Sequence, residues 1–209
     1  MKTPEHPIFL ASIDYIRSQI GLTGLNSVQQ SVLERIIHSS GDLSMQSFLK
    51  FSSNSCEDGI NALKQGANIL TDTYMAEAAV SPVAKRTLNS NVKCILEMAP
   101  EFIESSSQTR SAIGMQKMWL DMSNNKELVG PIVVIGSAPT ALMTLLDLIH
   151  EGSKKPSLII GMPVGFIGVS ESKTRLLNSD CPNIVLEGSK GGASLAAATV
   201  NALLRAAEY

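Results

Sequence analysis

Aromatic residues are scarce, 4% of the 209-residue chain, so any core has to be aliphatic, which suits a sheet buried between helices. Neither sign of charge dominates. Seventeen basic residues against 19 acidic ones give a net charge of -2, which excludes a broad basic face for nucleic acid. The three cysteines, Cys56, Cys94 and Cys181, lie far apart, match no metal-ligand spacing and read as reduced intracellular thiols. No G-x-G-x-x-G follows a strand and no G-x-x-x-x-G-K-[ST] occurs, so the nucleotide-binding fingerprints are missing. The opening Met1-Lys2-Thr3-Pro4-Glu5 meets charges at Asp14 and Arg17 before any apolar signal region forms, and a cytoplasmic protein is expected. An uncharged stretch between Glu127 and Asp147 is interrupted by Gly136, Ser137 and Pro139. It reads as strand, turn and helix rather than as a membrane span.

What is present is aliphatic and punctuated. Ile8, Ile13, Ile16 and Ile20 recur with a helical period that breaks at Gly21. Ser27 with Gln30 reads as a capping box for a second helix whose apolar face is Val28, Val32, Leu33, Ile36 and Ile37, ending near Ser39-Ser40-Gly41. Ser47 to Ser52 alternates weakly and reads as a candidate strand. Ser55 is expected to cap a helix running to Gly66. Strands are expected at 67–71, 92–98, 131–135, 156–160 and 183–186. Helices are expected at 73–88 with a break at Pro82, and at 109–122, 140–150, 171–177 and 193–207. Near-continuous Val, Ile and Leu strands alternating with helices predict a single α/β domain over residues 1–209. Its architecture is three-layer α/β/α around a mainly parallel sheet of about five strands.

Ligands of such sheets collect at the carboxyl ends of the strands. Three glycine-bearing segments fall there: Gly136 to Thr140, Gly161 to Gly168 and Gly188 to Ser194. Each leads towards a helix N-terminus and reads either as an ordinary turn or as a site for a carboxylate or phosphate. His6 lies near the N-terminus and His150 closes a helix. His38 also sits at a helix end, three residues after Arg35, and reads either as a dipole-favoured cap or as a general acid. Arg110, in the first turn of its helix, needs an anion from elsewhere. Thr71-Asp72-Thr73 ends a strand as polar site residues or as a cap, with Asp72 a candidate base. Glu171 and Lys173 are a possible pair, and Met115, Met118 and Trp119 fit a core.

Taken together, these segments resemble one family. The matching stretches are His6-Pro7-Ile8 with Ser12 and Ile16-Arg17, Arg35-Ile36-Ile37-His38 with Gly41, and Ala62-Leu63-Lys64 through Gly66-Ala67 to Ile69-Leu70-Thr71-Asp72 and Met75. They continue with Thr109-Arg110-Ser111-Ala112, Ile135-Gly136 with Ala138-Pro139-Thr140-Ala141-Leu142, Gly161-Met162-Pro163-Val164-Gly165-Phe166-Ile167-Gly168, Glu171-Ser172-Lys173 and Lys190-Gly191-Gly192. The chain thereby resembles the precorrin-8X methylmutases of corrin biosynthesis, the cobalt-precorrin-8 form included.

The resemblance implies an isomerase that shifts a methyl group between adjacent ring-C carbons of a contracted tetrapyrrole, giving hydrogenobyrinic or cobyrinic acid, without metal or redox cofactor. It implies a homodimer with the tetrapyrrole near the interface and the corrin product tightly held. The family's acid falls on His38, and its substrate-contacting residues on Ser12, Arg35 and Arg110. Thr71, Asp72, Gly136, Ser137, Thr140 and Gly165, in or beside the matched stretches, are expected to line the same site. Ser137, where many relatives have asparagine, and Glu187-Gly188-Ser189, in place of a more basic run, depart from the pattern. A tetrapyrrole carrier without catalysis is the alternative reading.

Overall fold

The computed structural model describes residues 6–103, 108–124 and 129–208; the first five residues and Glu127, read above for a leader and for an uncharged stretch, lie outside them. Strands β1 (Leu49–Phe51), β2 (Ile69–Thr71), β3 (Val92–Cys94), β4 (Ile132–Ile135), β5 (Leu158–Gly161) and β6 (Asn183–Leu186) form one sheet in the order β1-β6-β5-β4-β2-β3. All neighbours are parallel except β1, which runs antiparallel to β6 in the register Leu49↔Leu186. The sixth strand beyond the expected five is therefore this short edge, inside the weakly alternating Ser47–Ser52.

The strands show why both faces are covered. In β4, Ile132 and Val134 point into one aliphatic cluster and Val133 and Ile135 into the other, and all four are fully buried. Period-2 alternation of side chains sends successive residues to opposite faces, so a strand apolar throughout needs a helical layer on each. On the first face lie α2 (Ser27–Ser40), α4 (Ser55–Lys64), α5 (Tyr74–Thr87) and α9 (Ala193–Ala207). On the second lie α6 (Arg110–Asn124), α7 (Pro139–His150) and α8 (Val169–Leu177). α1 (Pro7–Ile20) packs outside α2 through Ile13 and Ile16, and the single turn α3 (Met45–Phe48) leads into β1. Small residues such as Ala196 and Ala197 let α9 lie close to the sheet, with Val200, Leu203 and Leu204 filling the layer. Among the described residues no helix is long and apolar enough to cross a membrane.

Local chemistry shifts several expected boundaries. The N-cap of α2 is Asn26, whose side chain accepts from Val28 N and Gln29 N, and Gln29 closes the capping box. Asn caps as well as Ser, and Gln30 is engaged elsewhere. Ser55 is the first residue of α4 rather than its cap; Asn54, in the left-handed region at φ 58°, occupies that position. α5 continues through Pro82, and Asn201 of α9 donates to Ala79 O in the turn before it. β3 stops at Cys94, and Ile95–Met98 is a 3-10 turn. Gly114 of α6 presses against it so closely that a Cβ there would stand 2.5 Å from Ile95 O. His6 caps α1, its Nδ1 accepting from Ile8 N. The three cysteines are buried with no disulfide, and burial pushes the Cys56 thiol up to about 12.

At the carboxyl ends of β4, β5 and β6 backbone meets backbone. Gly192 N donates to Met162 O and Met162 N to Ile135 O. A Cβ on Gly191 would stand 2.1 Å from Met162 O, and one on Gly136 would stand 2.6 Å from Ala193 Cα. No side-chain rotation relieves either clash. Gly191→Ala should therefore cost about 3 kcal/mol or more of unfolding free energy in urea; a loss within about 0.5 kcal/mol, the size of an ordinary surface change, would show that the loops are not in contact.

Candidate active site

His38 lies in the last turn of α2, exposed, before the left-handed C-cap Gly41. Ser12 Oγ of α1 is 2.8 Å from His38 Nδ1. Phe9, one turn before Ser12, meets the imidazole edge-on with centroids 5.0 Å apart, and the Arg35 guanidinium lies 4.8 Å over the same phenyl ring. One ring nitrogen is thus fixed by Ser12, the ring plane by Phe9, and Nε2 is the nitrogen that remains for a ligand.

The second group forms where β2 and β4 end. Asp72 is fully buried, and its Oδ2 accepts from Ser137 N at 2.6 Å and Ala138 N at 2.7 Å. Burial pushes its carboxyl upwards, against backbone N–H bonds from Ser137, Gly136 and Ala138 that favour the charged form. Asp72 does not cap its own helix; Thr73 does, accepting from Ala76 N. Thr71, also fully buried, places its hydroxyl on Thr73 O and Lys93 O. Asp72 therefore ties β2 to the Gly136–Ala138 turn, and Thr71 is committed to backbone. Beyond that turn, Thr140 Oγ1 lies 2.6 Å from Thr109 Oγ1, pinning the start of α6 to that of α7. Arg110, the next residue, donates from Nε to Pro100 O at 2.8 Å.

The third group comprises the loops after β5 and β6. Gly165, at φ 140°, donates to Ser189 O, and Phe166 and Ile167 beside it are each 90% exposed. Lys173 is not paired with Glu171. It is buried, and its ammonium donates to Gly188 O and Lys190 O at 2.7 Å each. Burial lowers its pKa to about 8. Lys190 in turn donates to Asp42 and Ser44 and lies over the Phe48 ring, which holds Asp42 down to about 2. The loop after β6 is thus bound four residues past His38, so all three groups stand along one edge of the sheet.

With this geometry in place, the comparisons with known proteins agree. The family model for precorrin-8X methylmutase matches residues 7–206. The chain belongs to the precorrin-8X methylmutase family. It is 36% identical to the cobalt-precorrin-8 methylmutase of Synechocystis sp., with 96% of this chain and 95% of that relative covered. It is also 36% identical to the precorrin-8X methylmutase of Pseudomonas aeruginosa, covering 94% and 93%. The crystal structure of a precorrin-8X methylmutase from Thermus thermophilus superposes with a TM-score of 0.85 at 33% identity, over 96% of this chain and 95% of that one. The protein is accordingly a methyl-shifting isomerase of cobalamin biosynthesis.

Within this methylmutase fold, Ser12, Arg35 and His38 form one bonded or stacked group, and Asp72, Ser137, Thr140 and Arg110 a second. Gly165 belongs to the third. Sequence reading left out Phe9, Thr109 and the Lys190–Asp42 link. Phe9 had a signal: in a chain of few aromatics it stands three residues from Ser12, on the same side of a helix. The Lys190–Asp42 pair, 148 positions apart, had none. Among the described residues no group of three or more His, Cys, Asp and Glu is arranged to hold a metal.

Lys173 makes stability depend on pH with a definite sign. The unfolded chain keeps this proton up to the ordinary value of 10.5, whereas the folded protein releases it near about 8. Between these values the unfolded state binds more protons, so stability rises with pH, by at most about 1.4 kcal/mol per pH unit. The difference in urea stability between wild type and Lys173→Met should grow in favour of wild type across this window; a flat difference would show the ammonium to be unperturbed.

Proposed function

We propose that this protein converts precorrin-8X or cobalt-precorrin-8 to hydrogenobyrinic or cobyrinic acid, with His38 as the proton donor and acceptor. The observation that carries this reading is the 2.8 Å Ser12–His38 contact at an exposed helix end, framed by Phe9 and Arg35. Moving a methyl group between adjacent ring-C carbons breaks one C–C bond and forms another, and substrate and product have the same atoms. The barrier falls when the conjugated macrocycle is polarised as the migrating bond loosens. An imidazole that gives a proton to the macrocycle and takes it back provides this, and nothing is consumed.

Peripheral acetate and propionate groups make the substrate a polyanion. Arg35 and Arg110 are suited to carboxylates, and Gly136, Ser137, Thr140 and Gly165, on the loops after β4 and β5, add an uncharged surface beside them. Thr71 and Asp72 act behind this surface by holding the turn. No cofactor or metal is required by the rearrangement, and a chain of net charge -2 avoids indiscriminate attraction of anions. The protein works in the cytoplasm as a homodimer, with the tetrapyrrole near the interface and the corrin product tightly retained. The exposed Phe166 and Ile167 beside the site support a second copy covering this edge.

His38→Ala should lower turnover of the precursor by roughly 100- to 10,000-fold while leaving a shifted visible spectrum of bound corrin product. Unchanged turnover would remove His38 as the acid, and binding without conversion by wild type would make the protein a carrier. Phe166→Asp should shift the protein from dimer to monomer in light scattering; an unaltered mass would place the interface elsewhere.

A further inference from the structure

α1 carries two of the groups around His38, yet little holds it in place. Of its 14 residues only Ile13 and Ile16 are buried, and apolar contact of that size is non-directional. The face it turns to α2 follows a helical stripe, Phe9, Ser12, Ile13, Ile16 and Arg17. The two helices run antiparallel along it: Ser12 meets His38 while Arg17, further on, meets Glu34, one turn before His38. Glu34 is the informative residue. Its side chain is 5% exposed, and both of its oxygens are taken by Arg17, Nε to Oε1 at 2.7 Å and NH2 to Oε2 at 3.0 Å. Gln30 Nε2 donates to Oε1 at 2.9 Å, and Gln30 Oε1 accepts from Thr23 Oγ1 in the α1–α2 connection. Asp14, 3.9 Å from Arg17 on the exposed side, is a weaker second partner.

We propose that the Arg17–Glu34 fork is a positioning device for His38, setting the register of α1 on α2 so that Ser12 and Phe9 fix the imidazole. A fork-to-fork pair is directional where apolar packing is not. One residue of slip along α1 moves Ser12 by about 1.5 Å, which destroys a 2.8 Å hydrogen bond. Burial of Glu34 adds the penalty for breaking the pair, since the carboxylate would stay buried with its counter-ion gone and only the Gln30 bond left. Arg17 and Glu34 lie a full turn or more from the Ser12–His38 contact and act on it only through the helices. This role rests on His38 being the acid, but its test does not.

The test reads the ring nitrogens of His38 by 15N NMR in the free protein, with Ser12→Ala giving the signal of an unheld imidazole. Arg17→Met and Glu34→Gln should both move the His38 signal towards the Ser12→Ala position. Arg17→Lys, which keeps the charge and loses the fork, should fall between. Ile16→Val, which loosens the apolar contact without touching the fork, should leave the signal where wild type has it. With precursor, Arg17→Met should lower kcat by roughly 10- to 100-fold at little change in KM. A wild-type His38 signal in Arg17→Met, or an equal displacement in Ile16→Val, would overturn the proposal. A displaced signal with undiminished kcat would uphold the fork and remove His38 from catalysis.

Discussion

The arrangement of the site depends on how closely the backbone approaches itself where the parallel strands end. Met162 O lies where a side chain on Gly191 would be, and Ala193 Cα where one on Gly136 would be. This contact, with the Gly192–Met162 and Gly165–Ser189 backbone bonds, locks the loops after β4, β5 and β6 into one surface. Residues within β4, β5 and β6 are all buried, so these strands can present chemistry only at their ends and through the loops that follow.

Charge placement follows the same economy. Asp72 and Lys173 are buried without a side-chain counter-ion in hydrogen-bond contact, a costly arrangement, and both spend their charge on backbone. Asp72 gathers the N–H groups at the start of α7, while Lys173 gathers carbonyls from the loop after β6. They set loop shape from behind. The groups that reach outward are others: His38, Phe166 and the first turn of α6. This division lets the surface be shaped by buried polar groups that do not themselves reach it.

The His38 group is built differently from the loop surface. It spans two helices that no strand holds, so polar pairs with fixed directions replace the backbone contacts used elsewhere. Lys190 bridges the two parts by reaching from the glycine loop to Asp42 and Ser44 just past α2. The His38 group and the loops are thus linked within one chain although they lie far apart in sequence.

The alternation of apolar strands and helices is written in the sequence, because a sheet covered on both faces requires continuous Val, Ile and Leu runs at Ile132–Ile135 and Leu158–Ile160. The residues proposed for the site, His38, Ser12, Arg35 and Arg110, stand in the motifs that carry the family resemblance. Local caps were less legible: Asn26 in place of Ser27 turned on which of several adequate acceptors won, and that depends on neighbours such as Gln30. The 3-10 turn after Cys94 required knowing that Gly114 would press against Ile95. The sequence by itself determined the layers and the chemical identity of the site residues, since hydrophobic periodicity and side-chain chemistry are local properties. Only the tertiary structure decided that Asp72 serves a neighbouring turn, that Lys173 is buried beneath a loop and that Arg17 grips Glu34. Each of these contacts joins separate elements, and its direction exists only once they are packed together.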